Sequence, residues 1–371
     1  MKVDLKHLIG PLATAPCIEF TAANGVLTAR GWCGGEVTTV ARDEESNDSW
    51  AFVAAAPSLA PLLDLTAVSL SVEGDSDKRL HVVGGHVDVS VPPVDDSVPS
   101  SRVAAGEKLD IPADVLHEAL SYLGAYRGKS TGVVDHGCLW LYEGDDGRLA
   151  LASTQQYCVA FCDGTALPAL NDAVRAVLKP TTGAAGFPLP RLLPWTIFSV
   201  GDVVEISVSV EGAIIKFAGD AAIVAKVPWV STQVSQWRQL VGPATMQGWN
   251  GIVNRHAFSR EFGRVAQYNG LVGDGATPTI AAKDGSVEFA IAGVKGNVRA
   301  SVTAEGQGDV SHLVYGASLP LKGMPDDVSL VIPTRLVFPA SEEGASTMLF
   351  YADQAVGAET LRKSLAVVVV D

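Results

Sequence analysis

Residues 188–229 read PLPRLLPWTIFSVGDVVEISVSVEGAIIKFAGDAAIVAKVPW, a short Leu- and Pro-rich segment followed by apolar and polar residues in alternation, broken by turn residues. Alternation at period two sends successive side chains to opposite sides of a pleated strand, so each strand has one apolar face to bury. The same plan occurs twice more. Residues 57–94, PSLAPLLDLTAVSLSVEGDSDKRLHVVGGHVDVSVPPV, carry a short Leu-rich turn or helix, two alternating strands and a closing turn. Residues 315–352, YGASLPLKGMPDDVSLVIPTRLVFPASEEGASTMLFYA, repeat it. Internal repetition is therefore the organising feature of the chain.

Between these copies lie three segments in which a longer amphipathic helix precedes paired strands. In IPADVLHEALSYLGAY, residues 111–126, Val115, Leu116, Ala119, Leu120 and Leu123 recur at helical spacing, and Pro112 suits a first turn. Strands follow in GCLWLYE and LALASTQQYCVAFCDG, with DDG supplying the turn. HAFSREFGRVAQY, residues 256–268, opens the third such unit, and TPTIAAKD, SVEFAIAG and VRASVTAE continue it. VDLKHLIGPL opens the first, followed by CIEFTAANGVLTARGWCGGEVTTVARD. Six helix-plus-strands units in three pairs imply an α+β chain of three similar domains, residues 1–98, 99–241 and 242–371, with helices covering the apolar sheet faces. The same alternation also fits three unrelated β-rich domains or one large sandwich, because short alternating strands are common.

Composition sets outer limits. A chain of 371 residues exceeds one ordinary core and suggests two or three domains. Hydrophobic residues at 47%, charged residues at 18%, 37 Gly and 20 Pro suit a folded, turn-rich protein. The five cysteines, Cys17, Cys33, Cys138, Cys158 and Cys162, follow no CxxC or Cys/His spacing, which argues against a disulfide framework or a zinc site and fits a reducing cytoplasm. The apolar run of MKVDLKHLIGPLATAP is too short for a secretory signal, and nowhere do about 18 apolar residues run uninterrupted, so a soluble, cytoplasmic protein without membrane contact is expected. A net charge of −14 excludes a uniformly basic coat for nucleic acid. Because salt screens charge beyond about 10 Å, a small basic lining inside an acidic body remains compatible with it.

With the repeats in place, the chain resembles the bacterial and phage β-type DNA sliding clamps, the β subunits of DNA polymerase III, over nearly its whole length. GCLWLYEGDDGRLALASTQQYCVAFCDG resembles the middle-domain hairpin of that family; the family's ATDGHRLA motif is here Ser153, Thr154, Gln155, Gln156, Tyr157, Cys158, Val159 and Ala160, without its polar and basic centre. The stretch from Pro190 to Pro243 is similar to the second half of that domain, and in VSQWRQLVGP the residues Trp237, Arg238 and Leu240 keep the aromatic, basic and apolar order of an FPDYRRVLP-like turn. SREFGRVAQY stands as an inner helix, and LAVVVVD stands where the family ends in a VVMPMRL-like tail, lacking its Met-Pro-Met-Arg portion. These departures suggest a divergent member, with a phage as the expected source.

The resemblance implies a non-enzymatic ring with no cofactor, closed by a head-to-tail homodimer, with sheets outside and helices lining a hole for double-stranded DNA. It places Lys2 and Lys6 near the first helix, Arg127 and Lys129 after the second, and Arg260 and Arg264 on the third, facing DNA; the last two, four apart, share a helix face. It also implies a hydrophobic pocket between the middle and last domains for short peptides of a polymerase and a clamp loader, walled by Thr154, Gln156, Tyr157, Val159, Leu240, Val368 and Val370. The terminal valines read equally well as a buried strand.

Enzymatic signals are sparse. His86 and Asp88, two apart, would share a strand face as metal ligands sometimes do, but no third ligand is evident. Asp135 and His136 are adjacent and would point to opposite faces, an awkward acid–base couple. A P-loop and a helix-opening GxGxxG are absent, leaving no catalytic residue to name. The main alternative is a β-rich phage structural or binding protein without DNA tethering; a hydrolase with an unrecognised site is a third reading.

Overall fold

Alternation becomes antiparallel pairing, with turns where the local chemistry demands them. Strands Cys17–Ala23 and Val26–Trp32 are joined by Asn24-Gly25, whose φ angles of 52° and 75° give the left-handed two-residue turn that suits the twist of a hairpin. The computed structural model describes residues 1–65, 67–74, 77–126, 139–155, 158–178, 187–189, 202–218, 222–229, 248–272, 277–293, 295–306, 308–314, 321–333 and 345–370. Two units result. One comprises Met1–His117, Leu170–Pro180 and Phe187–Ser231, and the other is built mainly on Glu118–Ala169 and Thr232–Asp371. Residues of the segment 99–241 contribute to both.

In the first unit, strands Lys2–Val3, Val68–Glu73, Arg79–Gly84 and Val87–Val91 form one sheet in that order. A second sheet runs Trp50–Ala55, Cys17–Ala23, Val26–Trp32, Glu36–Arg42, Ala222–Pro228, Gly212–Ala218, Asp202–Val208 and Glu107–Leu109. Its seam joins distant parts of the chain, with Val40 opposite Ala222 and Glu36 opposite Lys226. The seam carries charge as well as backbone hydrogen bonds. Lys226 Nζ lies 3.4 Å from Glu36, whose other oxygen accepts the Ser101 N–H at 2.9 Å, while Arg30 binds Glu19, the Ser100 hydroxyl and the Val98 carbonyl.

The second unit holds one extended antiparallel sheet, ordered Leu139–Glu143, Leu149–Gln155, Cys158–Asp163, Glu359–Val370, Val310–Val314, Thr279–Lys283, Ser286–Gly293, Gly296–Gly306, Gly248–Asn254, Asp327–Pro333 and Ala345–Val356. The last of these pairs back onto Glu359–Val370. Trp249 lies across the Gly251–Gly306 pair, where a β-carbon on Gly306 would come within 2.3 Å of the indole. These glycines are a packing requirement.

Two details correct the sequence reading. The segments 57–94 and 188–229 each carry three paired strands after the Leu-rich part: Val68–Glu73, Arg79–Gly84 and Val87–Val91 in the first, and Asp202–Val208, Gly212–Ala218 and Ala222–Pro228 in the second. In the first of them the extra reversal is the Gly85–His86 turn, so His86 and Asp88 do not share a strand face. Asp135 and His136 lie outside the described residues. Among the described residues no helix is long and apolar enough to cross a membrane, and no group of His, Cys, Asp and Glu is placed to hold a metal ion.

Candidate functional site

Helix Arg255–Gln267 begins where Asn254 accepts the Ala257 N–H at 3.1 Å, satisfying a donor that the first turn leaves free. Phe258, Phe262, Val265 and Ala266 recur on its buried face. The Phe258 ring meets Phe289 and Phe350 edge-on at centroid distances of 4.9 and 5.1 Å, which fixes the helix against the sheet. The opposite stripe, His256, Arg260 and Arg264 at four-residue spacing, is exposed. Between the two arginines sits Glu261. Arg260 Nε donates to its Oε1 at 2.7 Å, and Arg264 Nη1 donates to Oε2 at 3.0 Å and to Oε1 at 3.3 Å. The hydrogen bond from Arg260, with the two positive charges, holds the Glu261 carboxyl below the usual range.

The other expected basic positions are less alike. Lys6 is exposed on the short helix Leu5–Ile9. Lys2 is exposed too, but on a strand, paired with Ser69 and donating its backbone N–H to Asp43 at 2.8 Å. Arg127 and Lys129 lie outside the described residues, and the exposed positions of helix Ala113–Gly124 among the described side chains are Asp114, His117 and Ser121, with neither a lysine nor an arginine. A basic residue passed over in the sequence is Arg175, on helix Asp172–Leu178, paired with Asp172 at 3.0 Å. Its signal was local: Asn171 caps the helix by accepting the Val174 N–H at 2.8 Å.

Thr154 and Val159, expected in a peptide pocket, are brought directly opposite each other by the hairpin register. Both are buried, at 3% and 6% exposure. Val159 packs with Trp140, Tyr142, Ala150, Ala152 and Phe161, and Phe161 also packs against Val331, Leu349 and Ala366 beside Tyr351. The result is one apolar face running from the hairpin onto the C-terminal strand, where Val159 lies opposite Ala366. Phe161 and Tyr351 are its partly open aromatic members and were not picked out from sequence. Phe161 is two residues from Val159 and was legible as sharing its face; Tyr351 is brought near only by strand pairing. The backbone of Val368 pairs with Thr347, and that of Val370 with Ala345 and Leu313. Gln156, Tyr157 and Leu240 lie outside the described residues.

The other side of these strands meets helix Ala113–Gly124. Tyr122 donates its hydroxyl to the Ser364 carbonyl at 2.8 Å. Next to it, buried Lys363 binds Glu118 and the Gly323 carbonyl at 2.9 Å and sits 5.6 Å from the Tyr122 ring centroid. The apolar face is thereby backed by a fixed polar junction.

Neither a protein-family model nor the sequence of a characterised protein matches the chain. Solved structures do. A β sliding clamp of Caulobacter crescentus superposes with a TM-score of 0.72 at 16% identity, covering 98% of this chain and 95% of that one. A DNA polymerase sliding clamp of Pseudomonas aeruginosa gives 0.71 at 12% identity, with 99% and 96% covered. The clamp of Bartonella birtlesii, solved with griselimycin bound, gives 0.70 at 15% identity, with 98% and 95% covered. The likeness is one of fold, and the resemblance read from the sequence is present in it across nearly the full length of both chains.

Proposed function

We propose that the chain is a DNA sliding clamp, a non-enzymatic ring subunit that holds a polymerase on double-stranded DNA. The observation that carries this reading is end-to-end likeness of fold to the clamp of Caulobacter crescentus, 98% of one chain against 95% of the other. In this reading residues 1–98, 99–241 and 242–371 are three similar domains, and two chains close head to tail. Free strand edges support such closure. Val87–Val91 ends its sheet, and only the last three residues of Gly296–Gly306 pair with Gly248–Asn254 among the described residues, so each offers backbone groups that a second copy can extend.

The mechanism is topological. Lys2, Lys6, Arg127, Lys129, Arg260 and Arg264 face the duplex and meet phosphates through sparse, water-bridged, sequence-independent contacts, so no register is strongly preferred and the ring slides. Short peptides of the polymerase and of a clamp loader dock on the apolar wall near Thr154, Gln156, Tyr157, Val159, Leu240, Val368 and Val370; because Thr154 and Val159 are covered, the partly open Phe161 and Tyr351 are the first aromatic anchors such a peptide meets.

Light scattering over a dilution series, followed by retention on nicked circular DNA, tests the proposal. A dimer that stays on circles and leaves once they are linearised is expected. A monomer at every concentration, or equal loss from circular and linear DNA, overturns it, and much larger assemblies favour a structural protein instead.

A further inference from the structure

We infer that Glu261 sets the strength of the DNA contact, by neutralising one of the two arginines on the exposed stripe of helix Arg255–Gln267 and holding both guanidinium groups by one edge. The inference rests on the clamp reading and concerns how loosely the lining must grip. Arg260 and Arg264 are each about two-thirds exposed, and both bind the same carboxylate at 2.7 to 3.3 Å. Three charged groups thus present a net charge of about one, where the two arginines alone would present two.

Phosphate and carboxylate are acceptors of the same geometry for a guanidinium. A phosphate that approaches this stripe therefore competes with Glu261 for the same N–H groups, and each contact that forms must displace one already made. Exchange between a fixed internal acceptor and a moving row of external ones leaves little net preference for any one position along the duplex. Glu261 is largely covered, at 8% exposure, so it remains in place between the two side chains and does not swing away into solvent. On the other helices, Arg175 pairs with Asp172 at 3.0 Å, and Lys6 stands on a helix without an acidic residue.

Each phosphate neutralised releases condensed counterions and contributes about 0.9 to the slope of log affinity against log salt. Glu261→Gln exposes one further positive charge and is expected to steepen that slope by about one. Between about 50 and about 200 mM salt, this makes the variant lose roughly fourfold more affinity than the parent, with tighter binding at the low-salt end. Binding is read by fluorescence anisotropy on a short, open-ended labelled duplex, where topological trapping plays no part. Arg264→Gln is expected to flatten the slope, and Glu261→Gln combined with Arg264→Gln, which restores the net charge, to return it to the parent value; a merely structural role for Glu261 would not produce that return. Helical content by circular dichroism reports folding of each variant. An unchanged slope in Glu261→Gln, with retention on circular DNA intact in the parent, overturns the role of Glu261 and leaves the clamp reading standing. Loss of retention in the parent itself overturns both.

Discussion

Replacing Glu118 with alanine removes the carboxylate that meets the buried ammonium of Lys363, and the cost follows from which partner can reach water. The Lys363 side chain is 2% exposed and that of Glu118 is 36% exposed. Without Glu118 the ammonium keeps the Gly323 carbonyl and the Tyr122 ring. Removing one partner of a buried pair costs about 3–5 kcal/mol, and the solvent that already reaches Glu118 screens the pair, which brings the expectation down to about 2–3 kcal/mol. Lys363→Met is the instructive contrast. It removes the buried charge, retains most of the volume and leaves Glu118 hydrated, so its main loss is an unsatisfied Gly323 carbonyl, about 1 kcal/mol. Urea unfolding followed by the fluorescence of buried Trp140 and Trp249, both in the same unit as the pair, measures each variant and the double variant. A Lys363→Met variant less stable than Glu118→Ala would refute the argument, because it would mean that the pair's attraction outweighs the desolvation of the lysine.

Burial, reinforced by Asp146, Asp353 and Asp145 and opposed by Arg362, pushes the Asp163 carboxyl up to about 6 from 3.8. The folded chain therefore holds this proton more tightly than the unfolded one, and stability is lost as pH rises from about 4 to about 6; Asp163→Asn is expected to stabilise the protein on the order of 2 kcal/mol at pH 7.5 and to have little effect at pH 4, and equal effects at both values would contradict it. Gly306→Ala forces a methyl group against Trp249 and is expected to cost at least 1–3 kcal/mol with a red shift of tryptophan emission; a neutral melt with unchanged emission would show that the indole is not seated there. Glu36→Gln weakens the acceptor of the Ser101 N–H and is expected to speed hydrogen exchange at that amide more than at strand amides of the same sheet, whereas uniform acceleration would point to general loosening.

Most of the elements and their order were legible in the chain's own residue pattern, though not the third strand of segments 57–94 and 188–229. Helix Arg255–Gln267 was legible because Phe258, Phe262, Val265 and Ala266 recur every three to four residues, and the strands because their side chains alternate. Those patterns are local, written by neighbours in the chain, and they also carried the resemblance to sliding clamps. Tertiary structure alone decided which strands meet. Glu36–Arg42 pairs with Ala222–Pro228, and Cys158–Asp163 with Glu359–Val370, through backbone groups that every residue shares, so no side-chain code announces either seam. The same holds for the candidate sites. Arg260 and Arg264 were recognised as one helical face, but only the fold shows that Glu261 binds both. Thr154 and Val159 were named as a wall, and only packing decided that they are covered while Phe161 and Tyr351 stay partly open. Periodicity records which side of an element faces inward; the charge it presents and the neighbours that cover it depend on rotamers and on chain brought from far away in sequence.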